Sequence, residues 1–263
     1  MKKYIPLILF FFCLALSGQQ TEYVDFKTAK AQISIKPDSI KVFGIVNYSL
    51  EILVPVDSIY IDAINMKFDY VKLNGEQIEF KNDLNKIWFK HNFKPQKIYN
   101  ISFYYEAFPK KAMYFVGWDK ENIVTSSDSL QTNCIEKKQI WTQGQGKYTS
   151  NWLPSIDDMN EKIEFDLKVN FDSAYEVIAN GKLTDKQINE SITTWHFDMQ
   201  QPMSSYLVAL AIGKYNKKIE TSKSGIPLEM YYYPEDSNKV EPTYRYTKDI
   251  FDFLEDEIGF SYP

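Results

Sequence analysis

Few side chains in this 263-residue chain are of types that make or break bonds. Its two histidines, His91 and His196, stand far apart, and neither belongs to a His-Glu-x-x-His run. A zinc site needs several clustered ligands, which a lone imidazole lacks. His196 alternates with Trp195 and Phe197, which reads as the wet side of a strand. The two cysteines, Cys13 and Cys134, form no paired-Cys metal pattern, and there is no Gly-x-Ser-x-Gly elbow or phosphate-binding loop. Carboxylates gather at Asp157-Asp158 and at Glu255-Asp256-Glu257, the latter on the polar side of an expected helix. Gln143 and Gln145 flank Gly144 as two amides on one face of a strand, in themselves ordinary surface residues. Taken alone, this inventory does not support hydrolysis.

The elements that would position these residues are mostly strands. Val46, Tyr48, Leu50 and Ile52 alternate with polar residues, as do Ile163, Phe165, Leu167 and Val169, and Ile101, Phe103 and Tyr105. One apolar and one wet face is the mark of a half-buried antiparallel strand. Asn74-Gly75 and Asn180-Gly181 tolerate positive φ and are expected to close tight hairpins. Tyr206–Ile212 is nearly all apolar and predicts a strand buried on both faces, ended by Gly213. The period then changes. Val240, Tyr244, Thr247, Phe251, Leu254 and Ile258 predict one long amphipathic helix, capped by Asn238 or Glu241, with Pro242 in its first turn and Gly259 as its left-handed stop. An apolar helix face with nothing after it suggests that the chain ends in mid-domain.

Composition sets the class. Aromatic residues make up 16% of the chain, which suits strand surfaces, and charged residues 25%, too mixed in sign for a disordered chain. Lys2 and Lys3, the apolar run Tyr4–Leu16 and the small residues Ala15, Ser17 and Gly18 have the layout of a secretory signal peptide, here residues 1–18. The run is shorter than the ~20 residues that cross a bilayer, so no stable membrane span is expected after its removal. Without Lys2 and Lys3 the 30 basic residues fall to 28 against 35 acidic, a net charge of −7. Such a chain is a poor partner for nucleic acid. Only Cys134 survives processing, so no internal disulfide is available.

Three ordered sets of motifs carry a resemblance. The first is Gln139-Ile140-Trp141-Thr142-Gln143-Gly144-Gln145, followed by Trp152-Leu153-Pro154-Ser155-Ile156-Asp157. The second is Ala179-Asn180-Gly181-Lys182-Leu183, then Trp195-His196-Phe197, then Pro202-Met203-Ser204-Ser205-Tyr206-Leu207-Val208-Ala209. The third runs from Phe253 to Tyr262-Pro263 and contains Gly259. Together they resemble the aminopeptidase N family of zinc metallopeptidases, which includes the leukotriene hydrolases. The family has a Gln-x-Glu/Gln strand, a Phe-Pro-Cys-x-Asp-x-Pro loop, a Ser-Asn-Gly turn, a Pro-Met-Ser-x-Tyr-Leu strand and a Gly-x-x-Tyr-Pro element in this order. Ser155 stands in place of the family's Cys, and Asp158-Met159 where Glu-Pro is common.

The resemblance implies a mainly β fold: a large antiparallel, saddle-like β-sandwich over 19–215, then the first strand and helix of an α-helical-rich, thermolysin-like catalytic domain over 216–263. It implies a zinc-dependent aminopeptidase, exported to the periplasm or secreted, that removes N-terminal residues from peptides with a free N-terminus. Zinc would belong to the full-length enzyme. Its Gly-x-Met-Glu-Asn and His-Glu-x-x-His motifs are not within this chain, which alone would be inactive. By position, Gln143 would line the pocket for the substrate's first side chain. Gln145 would face the substrate's α-amine, where many members carry a Glu, and offers a neutral amide instead of a carboxylate. A second function class is also open: a secreted, non-catalytic β-sandwich module that binds peptides or glycans through its tryptophans and tyrosines. Continuation of the coding sequence into the two missing motifs separates the readings.

The signal layout makes one checkable statement. The exported protein should begin close to Gly18 or Gln19, and intact-mass measurement that finds Met1 or the whole apolar run would contradict it.

Overall fold

The computed structural model describes residues 19–118 and 137–262. The signal-peptide residues 1–18, Cys134 and Pro263 lie outside them. The first strands are β1 (Val24–Lys36), β2 (Lys41–Ile52), β3 (Val56–Asp62), β4 (Lys67–Leu73), β5 (Glu76–Gln77) and β6 (Phe80–Asn82). They are followed by β7 (Lys86–Phe93), β8 (Ile98–Ala107), β9 (Met113–Val116), β10 (Gln139–Thr142), β11 (Ile163–Asp172) and β12 (Glu176–Ala179). The last are β13 (Lys182–Asn189), β14 (Ile192–Met203), β15 (Leu210–Gly213), β16 (Asn216–Thr221) and β17 (Pro227–Tyr232), before helices α1 (Ser237–Tyr244) and α2 (Thr247–Ile258).

An eight-stranded sheet, β13-β14-β11-β1-β2-β8-β4-β5, carries the fold. Its pairs are antiparallel except for β1 beside β11, which are parallel. The alternating segments behave as their pattern requires: Val46, Tyr48, Leu50 and Ile52 are buried, as are Ile163–Val169 at every second position and Ile101, Phe103 and Tyr105. Two smaller sheets cover this one apolar face. In the three-stranded sheet β3-β7-β6, Ile59, Ile61, Ile87 and Phe89 point inward. In the four-stranded sheet β12-β15-β10-β9, Val177, Ile212 and Ile140 form a buried row across neighbouring strands. Phe103 sits at the junction, edge-on to Phe68 and stacked with Phe89 and Tyr48. Aromatic pairs of this kind contribute about 0.5–1.5 kcal/mol beyond area burial.

Several expectations are corrected. Asn74-Gly75 does close a hairpin, with φ of 53° and 89° between β4 and β5. Asn180-Gly181 does not: it carries the chain from the four-stranded sheet to the eight-stranded one. Gly181 is needed because a Cβ there would lie 2.4 Å from the Asp198 carbonyl oxygen. Tyr206–Ile212 is not one strand. Ser205–Leu207 forms a 3-10 turn with Leu207 47% exposed, and only Leu210–Gly213 pairs as β15. An unbroken apolar run does not reveal its period, so a turn followed by a strand reads like a longer strand.

The expected single helix is two. Arg245 and Tyr246 separate α1 from α2, Asp236 rather than Asn238 or Glu241 precedes α1, and Pro242 lies inside it. The apolar spacing survives because the interruption is short and stays close to helical geometry, with Arg245 in the helical region. Gly259 does stop α2 in the left-handed region, its N–H donating to the Glu255 carbonyl at 3.0 Å. Among the described residues no helix is long and apolar enough to cross a membrane.

Glu161 gives the frame a pH dependence. It is buried and accepts the Phe26 N–H of β1 at 3.0 Å. Burial pushes its carboxyl from the ordinary 4.5 up to about 7, against the opposing pull of that hydrogen bond and with help from the Asp25 charge. The folded state therefore holds a proton that the unfolded chain releases, and stability falls as pH rises from about 4.5 through about 7. Glu161→Gln keeps an acceptor for Phe26 but cannot ionise. Its Tm should exceed the parent's at pH 8, and the two should converge below pH 4.5. An unchanged difference across that range, in scanning calorimetry, would show that Glu161 does not carry this proton.

Candidate functional site

Residues Gln143–Tyr148 leave the end of β10 and fold back beneath it. The strand stops at Thr142, so Gln143 and Gln145 stand on a loop and not on the expected strand. Ladder pairing persists one residue further, with the Gln143 N–H donating to the Ala112 carbonyl at 2.8 Å. Gly144 is what turns the chain: it is buried, and a Cβ would lie 2.5 Å from Thr149 Oγ1 and 2.7 Å from the Tyr206 carbonyl oxygen. Gly146 and Lys147 follow at φ of 87° and 70°, and the Tyr148 N–H returns to the Gly144 carbonyl at 3.1 Å. Both glutamine side chains are exposed on the same side, with Gln143 Nε2 donating to Gln145 Oε1 at 3.3 Å.

Beneath the loop is a buried polar hub. Asp157 Oδ2 accepts the Ser150 N–H at 3.1 Å, and Oδ1 accepts Ser155 Oγ–H at 2.8 Å and Ser205 Oγ–H at 3.0 Å. Its own N–H donates to Asp62 Oδ2 at 3.0 Å. Burial raises the Asp62 carboxyl above its ordinary range, opposed by that hydrogen bond and by Lys86. Thr149 Oγ1 donates to the Ser205 carbonyl at 2.9 Å, so the loop is tied to both segments.

A pocket of about 140 Å³ opens between these parts, lined by Gln145, Lys147, Asp157, Asp158, Ser205 and Tyr206 among others. Its lining residues include an amide, a lysine and two carboxylates. Gln145 reaches this pocket; Gln143 is beside it but does not line it. The sequence shows Asp157 only as one of a carboxylate pair, and gives no sign of Lys147 and Ser205 as pocket residues. The left-handed backbone at Lys147, with φ of 70°, has no signal in a lone lysine.

The histidines take no part. His196 Nε2 is 2.8 Å from Asp166 Oδ1 across β11 and β14, on the wet face as expected. His91 lies against Phe93 and Tyr99. Among the described residues no three His, Cys, Asp or Glu side chains are arranged to hold a metal. The zinc that the resemblance implies therefore finds no ligand set among them.

Comparison with known proteins places this geometry. Residues 22–207 match the sequence model of the family described as Peptidase M1 N-terminal domain. The glutamyl aminopeptidase of Sus scrofa is 23% identical over 235 residues, which is 83% of this chain and 24% of that protein. Endoplasmic reticulum aminopeptidase 1 of Mus musculus is 30% identical over 113 residues, 42% of this chain and 12% of that protein. Among solved structures, the M1 zinc metallopeptidase from Deinococcus radiodurans superposes with a TM-score of 0.64 at 15% identity, covering 80% of this chain and 46% of that chain. A variant of a two-domain M1 zinc metallopeptidase bound to L-tryptophan gives 0.68 at 15% identity, covering 91% and 54%. At that identity the likeness is one of fold. The chain thus spans about a quarter of the Sus scrofa relative and about half of these solved chains.

The hub should be measurable by itself. Asp157→Ala leaves the Ser150 N–H and two buried serine hydroxyls without their acceptor. A buried polar group so stranded costs about 1–3 kcal/mol, so urea unfolding should show at least that loss. Asp157→Asn, which keeps acceptor capacity at Oδ1, should lose less.

Proposed function

Because the chain belongs to the Peptidase M1 N-terminal domain family, we propose that it forms the N-terminal part of an exported, zinc-dependent aminopeptidase acting on peptides with a free N-terminus. In this reading residues 1–18 are the signal peptide, 19–215 the N-terminal β domain and 216–263 the opening of the catalytic domain. The enzyme works in the periplasm or outside the cell. The β domain caps the cleft, Gln145 meets the substrate's α-amine and Gln143 the first side chain. Zinc and its ligands belong to the catalytic domain, where the metal polarises the scissile carbonyl and activates water.

The observation that carries the site reading is the anchoring of the Gln143–Gln145 loop. Gly144 is wedged against Thr149 and Tyr206, and the Asp157 hub holds the segment below. Substrate-positioning groups must be held within a few tenths of an ångström of the productive geometry, and a loop fixed on buried hydrogen bonds meets that need better than a free one. The similarity to glutamyl aminopeptidases supports the reaction class.

The test is kinetic, in the complete enzyme. A charge-assisted hydrogen bond contributes about 1.5–3 kcal/mol where a neutral one gives about 0.5–1.5. Gln145→Glu should therefore lower KM for free-amine substrates by up to about tenfold, with little effect on binding of N-acetylated analogues. Gln143→Ala should change which first residue is preferred. Unchanged KM and unchanged selectivity in both variants would return the two glutamines to plain surface residues.

A further inference from the structure

The outer face of the three-stranded sheet carries a groove that the proposed peptidase reading does not use. Strand alternation sends Ile59, Ile61, Ile87 and Phe89 into the core, and leaves Ser58, Tyr60, Trp88 and Lys90 on the opposite face. The groove there measures about 510 Å³ and is lined by Ser58, Glu79, Lys81, Asp83, Trp88 and Lys90, with parts of Phe80 and Phe89. That volume is in the range of small-ligand sites.

Trp88 is held like a fixed plate. Its indole N–H donates to Asp83 Oδ2 at 2.8 Å. Asp83 is itself pinned, with Oδ1 accepting the N–H groups of Asn85 at 3.1 Å and Lys86 at 2.8 Å. Those three bonds, the indole's first, hold the Asp83 carboxyl below its ordinary range. On the other side, Tyr60 packs 4.9 Å from the Trp88 ring, and Lys86 Nζ sits 3.4 Å over Tyr60. The backbone behind is fixed as well: the Gln20 amide bonds both the N–H and the carbonyl of Tyr60, at 2.7 and 2.8 Å. With its N–H spent on Asp83, Trp88 offers the groove only its π surface.

The lining is mixed in sign. Lys81 and Lys90 supply donors, Glu79 and Asp83 supply acceptors, and the Ser58 hydroxyl, whose hydrogen goes to Asp57 Oδ1 at 3.1 Å, adds a further acceptor. A purely anionic ligand would meet Glu79 and Asp83, and a purely cationic one Lys81 and Lys90. A polyhydroxyl ring satisfies both sets, because each hydroxyl donates and accepts, while its C–H face lies on an aromatic plate. We propose that this groove is a carbohydrate-binding site that takes a neutral pyranose unit of a polysaccharide, stacked on Trp88 and hydrogen-bonded to Lys81, Lys90 and Glu79.

The whole protein can be tested by affinity electrophoresis in native gels containing laminarin, xylan, galactomannan or hydroxyethylcellulose. At least one of the four should retard it. Trp88→Ala should weaken that retardation by about tenfold or more, the scale for losing an aromatic anchor. Trp88→Phe, which keeps a ring and guards against a folding artefact, should fall between. Gln145→Ala should be retarded like the parent, so that failure here is separable from failure of the peptidase reading. Absence of retardation in all four gels would overturn the site, as would equal retardation of Trp88→Ala. A fifth gel contains the anionic polygalacturonate; retardation there alone, abolished by added salt, would mark an ionic surface and overturn the neutral-sugar assignment.

Discussion

The arrangement turns on one buried carboxylate. Asp157 gathers three donors, Ser150 and Ser155 from its own loop and Ser205 from a distant segment, and its backbone N–H is held by Asp62 at the end of β3. A carboxylate in a low-dielectric interior is costly unless its lone pairs are filled, and here they are filled by groups that have no other reason to meet. The loop after β10, the turn before β15 and the edge of the three-stranded sheet are thereby fixed to one point. Ser155 adds a backbone bridge to Asp62, with N–H to carbonyl bonds of 2.8 and 3.0 Å in both directions.

The large sheet completes this anchoring through two buried tyrosines. Tyr48 and Tyr105 alternate into the core from β2 and β8, and their hydroxyls donate to the carbonyls of Pro154 and Trp152 at 2.8 and 3.1 Å. Burial drives both phenols far above their ordinary range, so they stay neutral donors. Residues 152–157 are buried throughout, which explains why Ser155 can replace a cysteine there: the position needs a small side chain, and the hydroxyl finds Asp157. The β-framework here does more than bury apolar surface. It converts distant strands into a fixed platform for a short loop.

How much of this was legible in the sequence follows from how local each signal is. Ile163–Val169 announced its buried face because a strand's period is two and one face must be dry. Asn74-Gly75 announced its turn because positive φ at both residues is a local property. Asn180-Gly181 carries the same pair, yet serves a crossing between sheets, where Asn180 Oδ1 accepts the Ala209 N–H at 2.6 Å from a distant segment. No local rule separates the two cases. The break at Arg245–Tyr246 was hidden because the apolar spacing continues through it. Gln143 and Gln145 were singled out only through the resemblance, whereas Ser205, Lys147 and the Trp88 groove depend on which strands become neighbours, and that is decided by the whole fold.

The last helix shows a different balance of forces. α2 buries none of its residues, and Ile250, Phe253, Leu254 and Ile258 are all about half or more exposed. Twelve residues are marginal for an isolated helix. Its contacts with the β16–β17 turn include polar ones, the Lys223 N–H donating to Asp252 at 2.7 Å and Ser224 Oγ–H to Glu255, while Lys248 pairs with Asp252 within the helix and Phe251 lies against Tyr262. Exposed ion pairs and hydrogen bonds of this sort contribute about 0–1 kcal/mol each, less than burying one leucine or phenylalanine, about 1.5–3 kcal/mol. The amphipathic pattern therefore exceeds what the β16–β17 turn can use.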